Sequence, residues 1–144
     1  MSAPSSDERP AHYDEQLNVS YTSAEYVFHE FVLKIGQHHP DFDDWLTEQG
    51  YRKYAFLTAF NPRSVLYSPA DNTERQESLH QLLRVGGLPF APAAGRDPEG
   101  NWPTEIGVFL FDVPSGEVHE LARVFGQNAV VEGKVAGVPF LVWV

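Results

Sequence analysis

The run Tyr54-Ala55-Phe56-Leu57-Thr58-Ala59-Phe60, closed by Asn61-Pro62, constrains the fold more than any other stretch of the chain. A strand with one wet face alternates apolar and polar residues. This one does not, so both of its faces must be covered and it belongs in the middle of a sheet. What covers it can be sought in the segments on either side.

Those segments carry helix signals. Residues 40–49 place Phe42, Trp45 and Leu46 at helical spacing and stop at Gly50, which reads as a short amphipathic helix. Ser68-Pro69-Ala70-Asp71 sets a serine at the N-cap, a proline at the first helical position and an acid three residues after the cap, and Gly86-Gly87 ends the helix. Residues 115–126 form a third helix with Val118, Leu121, Ala122 and Phe125 on one face. Strands are expected at 25–36, where Val27, Phe31, Leu33 and Ile35 fall on one side with Phe28, Glu30, Val32 and Lys34 on the other and His29 sits on the Val27 side, then at 88–92 and 105–113. A C-terminal hairpin is expected from 128–132 and 138–143 about a turn at 133–137.

The expected order is β-α-β-α-β-β-α-β-β. It predicts an α+β two-layer sandwich: a mixed sheet with helices packed on it, a ferredoxin-like β-α-β-β-α-β centre, an N-terminal strand-helix and a C-terminal hairpin. A three-layer Rossmann-like sheet is the alternative. Residues 1–20 are rich in Ser, Pro, Asp and Glu and read as a flexible acidic tail, leaving 21–144 as a single globular domain.

The chain of 144 residues has no cysteine, which removes disulfides, thiol nucleophiles and thiolate metal sites. No apolar run reaches the ~18 residues of a membrane span and the first residues lack a basic start, so a cytoplasmic protein without a membrane partner is expected. A net charge of −10 argues against nucleic acid as a partner. The charge is unevenly spread. Residues 1–50 hold ten acids and two bases, and the remainder ten acids and eight bases, so the nearly neutral part leaves room for one small anion. His38, His39, Asp41, Asp43 and Asp44 crowd one helix start, but acids in a first turn answer to the helix dipole, and no metal site or cofactor is expected.

Polar residues stand out of place on the second helix. Its apolar stripe of Leu79, Leu82 and Leu83 leads back to Arg75 and Asn72, which should face the sheet near Asn61, Arg63 and Ser64. A buried arginine needs a partner. Either Arg75 pairs with Glu105 or another acid to tie helix to sheet, or it holds an anion at the helix N-terminus. Residues 91–104, rich in proline and glycine and carrying Arg96, Asp97 and Trp102, read as a long loop able to cover that edge. No phosphate loop, dinucleotide fingerprint or serine elbow is present, and His80 and His119 are poorly placed as bases. Glu105 and Asp97 could each serve as acid or base.

The stretch from Ala55 through Asn61-Pro62-Arg63-Ser64, then Asn72-x-x-Arg75 and Leu79, then Gly95, Trp102 and Glu105, then Leu121-Ala122 and Phe125-Gly126-Gln127-Asn128-Ala129, resembles the bacterial family catalogued as domain of unknown function 3293. The resemblance covers residues 20–144. It implies a recurring polar set of Asn61, Pro62, Asn72, Arg75, Glu105 and Gln127 but no reaction. In that family the tryptophan and glutamate are commonly followed by a serine, where this chain has Ile106.

Two functions follow as expectations. The first is binding of a small anionic or nucleotide-like ligand at the edge formed by 61–75 and 91–104. Arg63, Arg75 and Arg96 would hold the anion, Asn61, Ser64, Asn72 and Gln127 would orient polar groups, and Trp102 and Glu105 would complete the site. The second is a non-catalytic interaction or regulatory module that meets a protein partner through the acidic first third or a sheet edge at Phe140-Leu141-Val142-Trp143.

Overall fold

The computed structural model describes residues 9–144. Its elements are α1 (Glu15–Ser23), β1 (Glu25–Phe28), β2 (Phe31–Lys34), α2 (Pro40–Gln49), β3 (Lys53–Thr58), a single 3-10 turn at Pro62–Ser64, α3 (Pro69–Val85), β4 (Phe90–Arg96), β5 (Glu105–Phe111), α4 (Ser115–Val124), β6 (Ala129–Lys134) and β7 (Phe140–Trp143). The seven strands form one sheet in the order β2-β1-β4-β5-β3-β6-β7.

The central β3-α3-β4-β5-α4-β6 segment has the ferredoxin-like arrangement, with β6, β3, β5 and β4 side by side. Where a mixed sheet was expected, every ladder is antiparallel. Within this segment the α3 and α4 crossovers each return two strands away and leave a gap that an antiparallel strand fills, so parallel strands are never neighbours. That pattern is not Rossmann-like.

Both faces of β3 are covered, and by different materials. Ala55 and Leu57 join Val108, Leu110 and Val130 beneath Leu79 and Leu83 of α3 and Val118, Ala122 and Phe125 near α4, an aliphatic layer. Tyr54 and Phe56 point the other way, onto Phe28, Phe109, Phe111, Val131 and Phe42 and Leu46 of α2. This second face is concave. The sheet edges approach one another where the Gly36 amide donates to the Pro139 carbonyl at 2.9 Å.

The ladders align the concave face in rows: Tyr26, Gly95 and Glu105; then Ala93, Gly107 and Thr58; then Ala91, Phe109, Phe56 and Val131. Along β5 the concave residues therefore run Phe111, Phe109, Gly107, Glu105. A side chain on Gly107 would meet the Phe56 ring at 2.6 Å and the Leu57 carbonyl at 2.7 Å, so glycine is required there for Phe56 to lie flat on the sheet.

Several elements differ from the sequence expectations. The strand expected over 25–36 is a hairpin, β1 and β2, turning at His29-Glu30 with His29 at φ 50°; His29 is an exposed turn residue, not a member of the Val27 face. Its turn lacks the glycine or asparagine that marks most two-residue hairpins. Residues 91–96, expected as the start of a long loop, belong to β4 despite Pro92. β1 pairs only with 94–96, so at Pro92 the strand faces no neighbour on that side and its missing N–H costs no ladder bond. The loop shrinks to residues 97–104. Within the segment expected to be a tail, residues 1–8 lie outside the described residues and Glu15–Ser23 is helical, started by the Asp14 side chain accepting from the Leu17 amide.

The caps of α2 and α3 follow the sequence. Gly50 ends α2 in the left-handed region at φ 80°, and Ser68 Oγ accepts from the Asp71 amide at 3.1 Å. The buried stripe of α3 is rotated from the expected one, running Asn72, Gln76, Leu79, Leu83, while Leu82 is 47% exposed.

Candidate functional site

The open end of the concave face holds a cavity of about 470 Å³. Its floor is the row that ends at Glu105, with Phe56, Thr58 and Tyr26. One side is Gln127 and Asn128 with the start of β6 to Val131; another is the 97–103 loop with Trp102; and α1 lies across it through Leu17, Ser20 and Tyr21.

The cavity exists because side-chain volume runs out along β5 and β3. Past Phe109 comes Gly107, past Phe56 comes Thr58, and nothing large fills the space beyond. The α1 cover is correspondingly unusual, since none of its residues is buried. Hydrogen bonds hold it instead. Trp143 Nε1 donates to Asn18 Oδ1 at 2.9 Å, Tyr26 Oη donates to the Tyr21 carbonyl at 2.7 Å, and Asn128 Nδ2 donates to Tyr21 Oη at 2.9 Å. Tyr21 Oη also sits 2.5 Å from Ser64 Oγ.

Glu105 is the charged group at the floor. Its Oε2 accepts from Asn61 Nδ2 at 2.8 Å and from Trp102 Nε1 at 3.1 Å. Among the described residues Oε1 has no hydrogen-bond partner. Burial pushes the carboxyl above its ordinary value, with the Asn61 and Trp102 bonds pulling against that rise. Burial also raises the Tyr26 hydroxyl far above the usual tyrosine range, so it remains a donor.

The segment leaving β3 explains why polar residues converge here. Once the chain departs from the sheet after Thr58, its backbone groups lose their ladder partners and must find others. Gln76 Oε1 accepts from the Ala59 amide, Asn72 Oδ1 from the Asn61 amide, and Arg75 Nε donates to the Ala59 carbonyl, at 3.0, 2.9 and 3.0 Å. Asn61 Oδ1 in turn accepts from the Tyr67 amide and Asn72 Nδ2, both at 2.9 Å. Asn61, Arg63 and Ser64 all take positive φ, at 45°, 54° and 57°. Each such conformation costs on the order of 1–3 kcal/mol, and this network holds all three in place.

The nine sequence-selected residues divide. Asn61, Ser64, Arg96, Trp102, Glu105 and Gln127 line the cavity; Arg63, Asn72 and Arg75 do not. Arg75 does not pair with Glu105. Its Nη2 donates to the Phe125 carbonyl at 2.7 Å, tying the C-terminus of α4 to α3, and its outer side meets a shallow depression with Tyr67, Asp71, Glu74 and Ser78. Arg63 is exposed, and its Nη1 donates to the Gln127 carbonyl and to Asn128 Oδ1 at 3.3 and 3.1 Å. Arg96 Nε donates to Glu25 Oε1 at 2.8 Å, and this arginine holds the Glu25 carboxyl below its ordinary value.

Residues that sequence reasoning missed are Tyr21, Tyr26, Thr58 and Asn128. Tyr26 and Thr58 read as ordinary strand positions, and Tyr21 stood at the edge of the supposed tail. The one available signal for α1 was Asp14 three residues before Leu17, an N-cap spacing. A separate cluster joins Ser115 Oγ and His119 Nε2 to opposite oxygens of buried Glu132, at 2.5 and 2.8 Å. Serine and histidine both bond the acid and not each other, so this is not a nucleophile relay.

The family model described as "Protein of unknown function (DUF3293)" matches residues 57–130. The chain belongs to the DUF3293 family. The matched segment carries all nine sequence-selected residues and the floor at Glu105, while α1 and its Trp143 anchor lie outside it. No curated protein and no solved structure matches the chain. Among the described residues, no helix of this DUF3293 member is long and apolar enough to cross a membrane.

Proposed function

We propose that this protein binds a small organic ligand in the cavity between α1 and the Glu105 floor. The observation that carries the reading is the floor itself: a carboxylate that lines a space of about 470 Å³, fixed through Oε2 by two donors, with Oε1 left without a hydrogen-bond partner among the described residues. That volume falls within the range of small-molecule sites, which combine apolar walls with a few fixed polar groups. The strained 61–64 segment supports the same reading, since backbone strain concentrates where a fold positions ligand-binding groups. The ligand site belongs under α1 and not around Arg75, whose donors serve backbone carbonyls.

The three tryptophans provide an internal control. Trp102 lines the cavity, Trp143 anchors α1, and Trp45 packs at the filled end of the concave face. In a fragment screen read by the three indole N–H resonances, assigned with single Trp→Phe variants, binding fragments should move Trp102 and leave Trp45 in place. A library that never shifts Trp102, or that shifts Trp45 equally, would overturn the reading.

A further inference from the structure

We infer that the cavity selects an organic cation, an amine or guanidinium carried on a flat apolar body, and that Glu105 is the group that receives its charge. The inference rests on the cavity being a ligand site and adds the chemistry of the ligand.

The charge on the walls has the wrong sign for an anion. Of the three arginines in this region, Arg75 does not reach the cavity and has two backbone acceptors, Arg63 is exposed and bonded to Gln127 and Asn128, and Arg96 is paired with Glu25. The fixed charges along the walls are otherwise acidic: Glu105 at the floor, Asp97 and Glu99 at the loop. Asp97 is occupied in shaping the loop, accepting from the Glu99 and Asn101 amides. Glu99 accepts from Asn101 through Oε2 but stands exposed to solvent on the loop, so Glu105 is the carboxylate within the floor that has an oxygen to spare.

The donors around Glu105 favour the same ligand. Asn61 Nδ2 and Trp102 Nε1 both land on Oε2, which holds the carboxylate in place and leaves Oε1, on a residue that lines the cavity, as an acceptor without a partner among the described residues. A ligand meeting Oε1 must bring a donor. A charged donor gains most, because a hydrogen bond to an ionised partner in a site shielded from water is about twice as strong as a neutral one. A second oxygen acid would instead place two carboxylates together and force one to hold a proton. The apolar floor and walls, with Phe56, Tyr26, Trp102 and Leu17, provide faces for an aromatic or aliphatic body, and aromatic rings attract cations as well.

The test uses one body with three head groups: tryptamine, indole-3-ethanol and indole-3-acetate, titrated against the full chain and followed by calorimetry and the Trp102 resonance. The inference expects tryptamine to bind about tenfold or more tighter than the alcohol, the acetate to bind weakest, and Glu105→Gln to erase the preference for tryptamine over the alcohol. The wild-type ranking stands as a test even where the variant fails to fold. Equal affinities, an acetate that binds best, or no binding by any of the three would each overturn the cation inference. Fragments that move Trp102 while these probes fail would leave the ligand cavity standing, whereas a failed fragment screen would remove both.

Discussion

The two ends of the concave face share strands, register and curvature, yet one is filled and the other is hollow. At the filled end Phe28, Phe42 and Phe109 are each at most 1% exposed, and Phe42 meets Phe31, Trp45, Tyr54 and Phe109 in tilted, stacked and edge-on contacts. At the open end β5 contributes a glycine and a glutamate where it contributed two phenylalanines before. The helices match their ends. α2 buries Phe42 and Leu46, whereas α1 has no fully buried residue and is tied down by hydrogen bonds from Tyr26, Asn128 and Trp143. One surface is thus a core where side-chain volume meets across it and a cavity where that volume stops.

The largest expected effect breaks the filled end. Phe109→Ala removes a ring with no exposed surface that contacts Phe28, Phe42, Tyr54, Phe56 and Phe111. Urea unfolding should show a loss of about 3–5 kcal/mol, the range for large-to-small changes in a packed core. A loss under ~1 kcal/mol would mean the aromatic layer is loosely packed and the contrast between the ends is false.

Arg75→Ala comes next and separates support from site. It removes a charged donor from each of the Ala59 and Phe125 carbonyls, the latter keeping Gln127 Nε2, and should cost about 2 kcal/mol. Fragments that shift the Trp102 indole in the wild type should bind the variant with unchanged affinity. If the stability holds while binding is lost, Arg75 belongs to the ligand site and the cavity under α1 has been drawn in the wrong place.

What the sequence made legible follows from the same contrast. α2 and α3 could be read because Gly50, Ser68 and Pro69 are local signals that packing does not override, and β3 because its apolar run has few other uses. The ferredoxin-like centre followed from the order of those elements. The β1–β2 hairpin was hidden because His29-Glu30 lacks a turn signature, and β4 because Pro92 and Gly95 imitate a loop until the short reach of β1 is known. Within the site, Asn61, Trp102, Glu105 and Gln127 were visible as polar or aromatic residues beside apolar strands. Asn72 and Arg75 were visible for another reason: they serve the backbone that leaves β3. Tyr21 and Thr58 were invisible, since a cavity is made by what is missing on several strands at once, and no local pattern records that.

The smallest expected effect concerns the charge on the floor. Burial raises the Glu105 carboxyl above its ordinary value near 4.5, so the folded protein holds this proton more tightly than the unfolded chain does. Its contribution to stability is therefore fully present below the unfolded value and is lost as pH rises through the folded one. Glu25, held down by Arg96, has the opposite slope, but it is common to wild type and Glu105→Gln and cancels in their difference. The variant, uncharged at every pH, should gain stability relative to wild type as pH climbs from about 4 and level off once Glu105 has ionised in the folded state. Thermal unfolding of both proteins at matched pH values reads this difference. Saturating tryptamine should shrink it, because a cation on Oε1 supplies the partner that the ionised carboxylate lacks. A difference independent of pH would mean that water reaches Glu105 freely, and the hollow end would then be an open cleft in place of a sheltered floor.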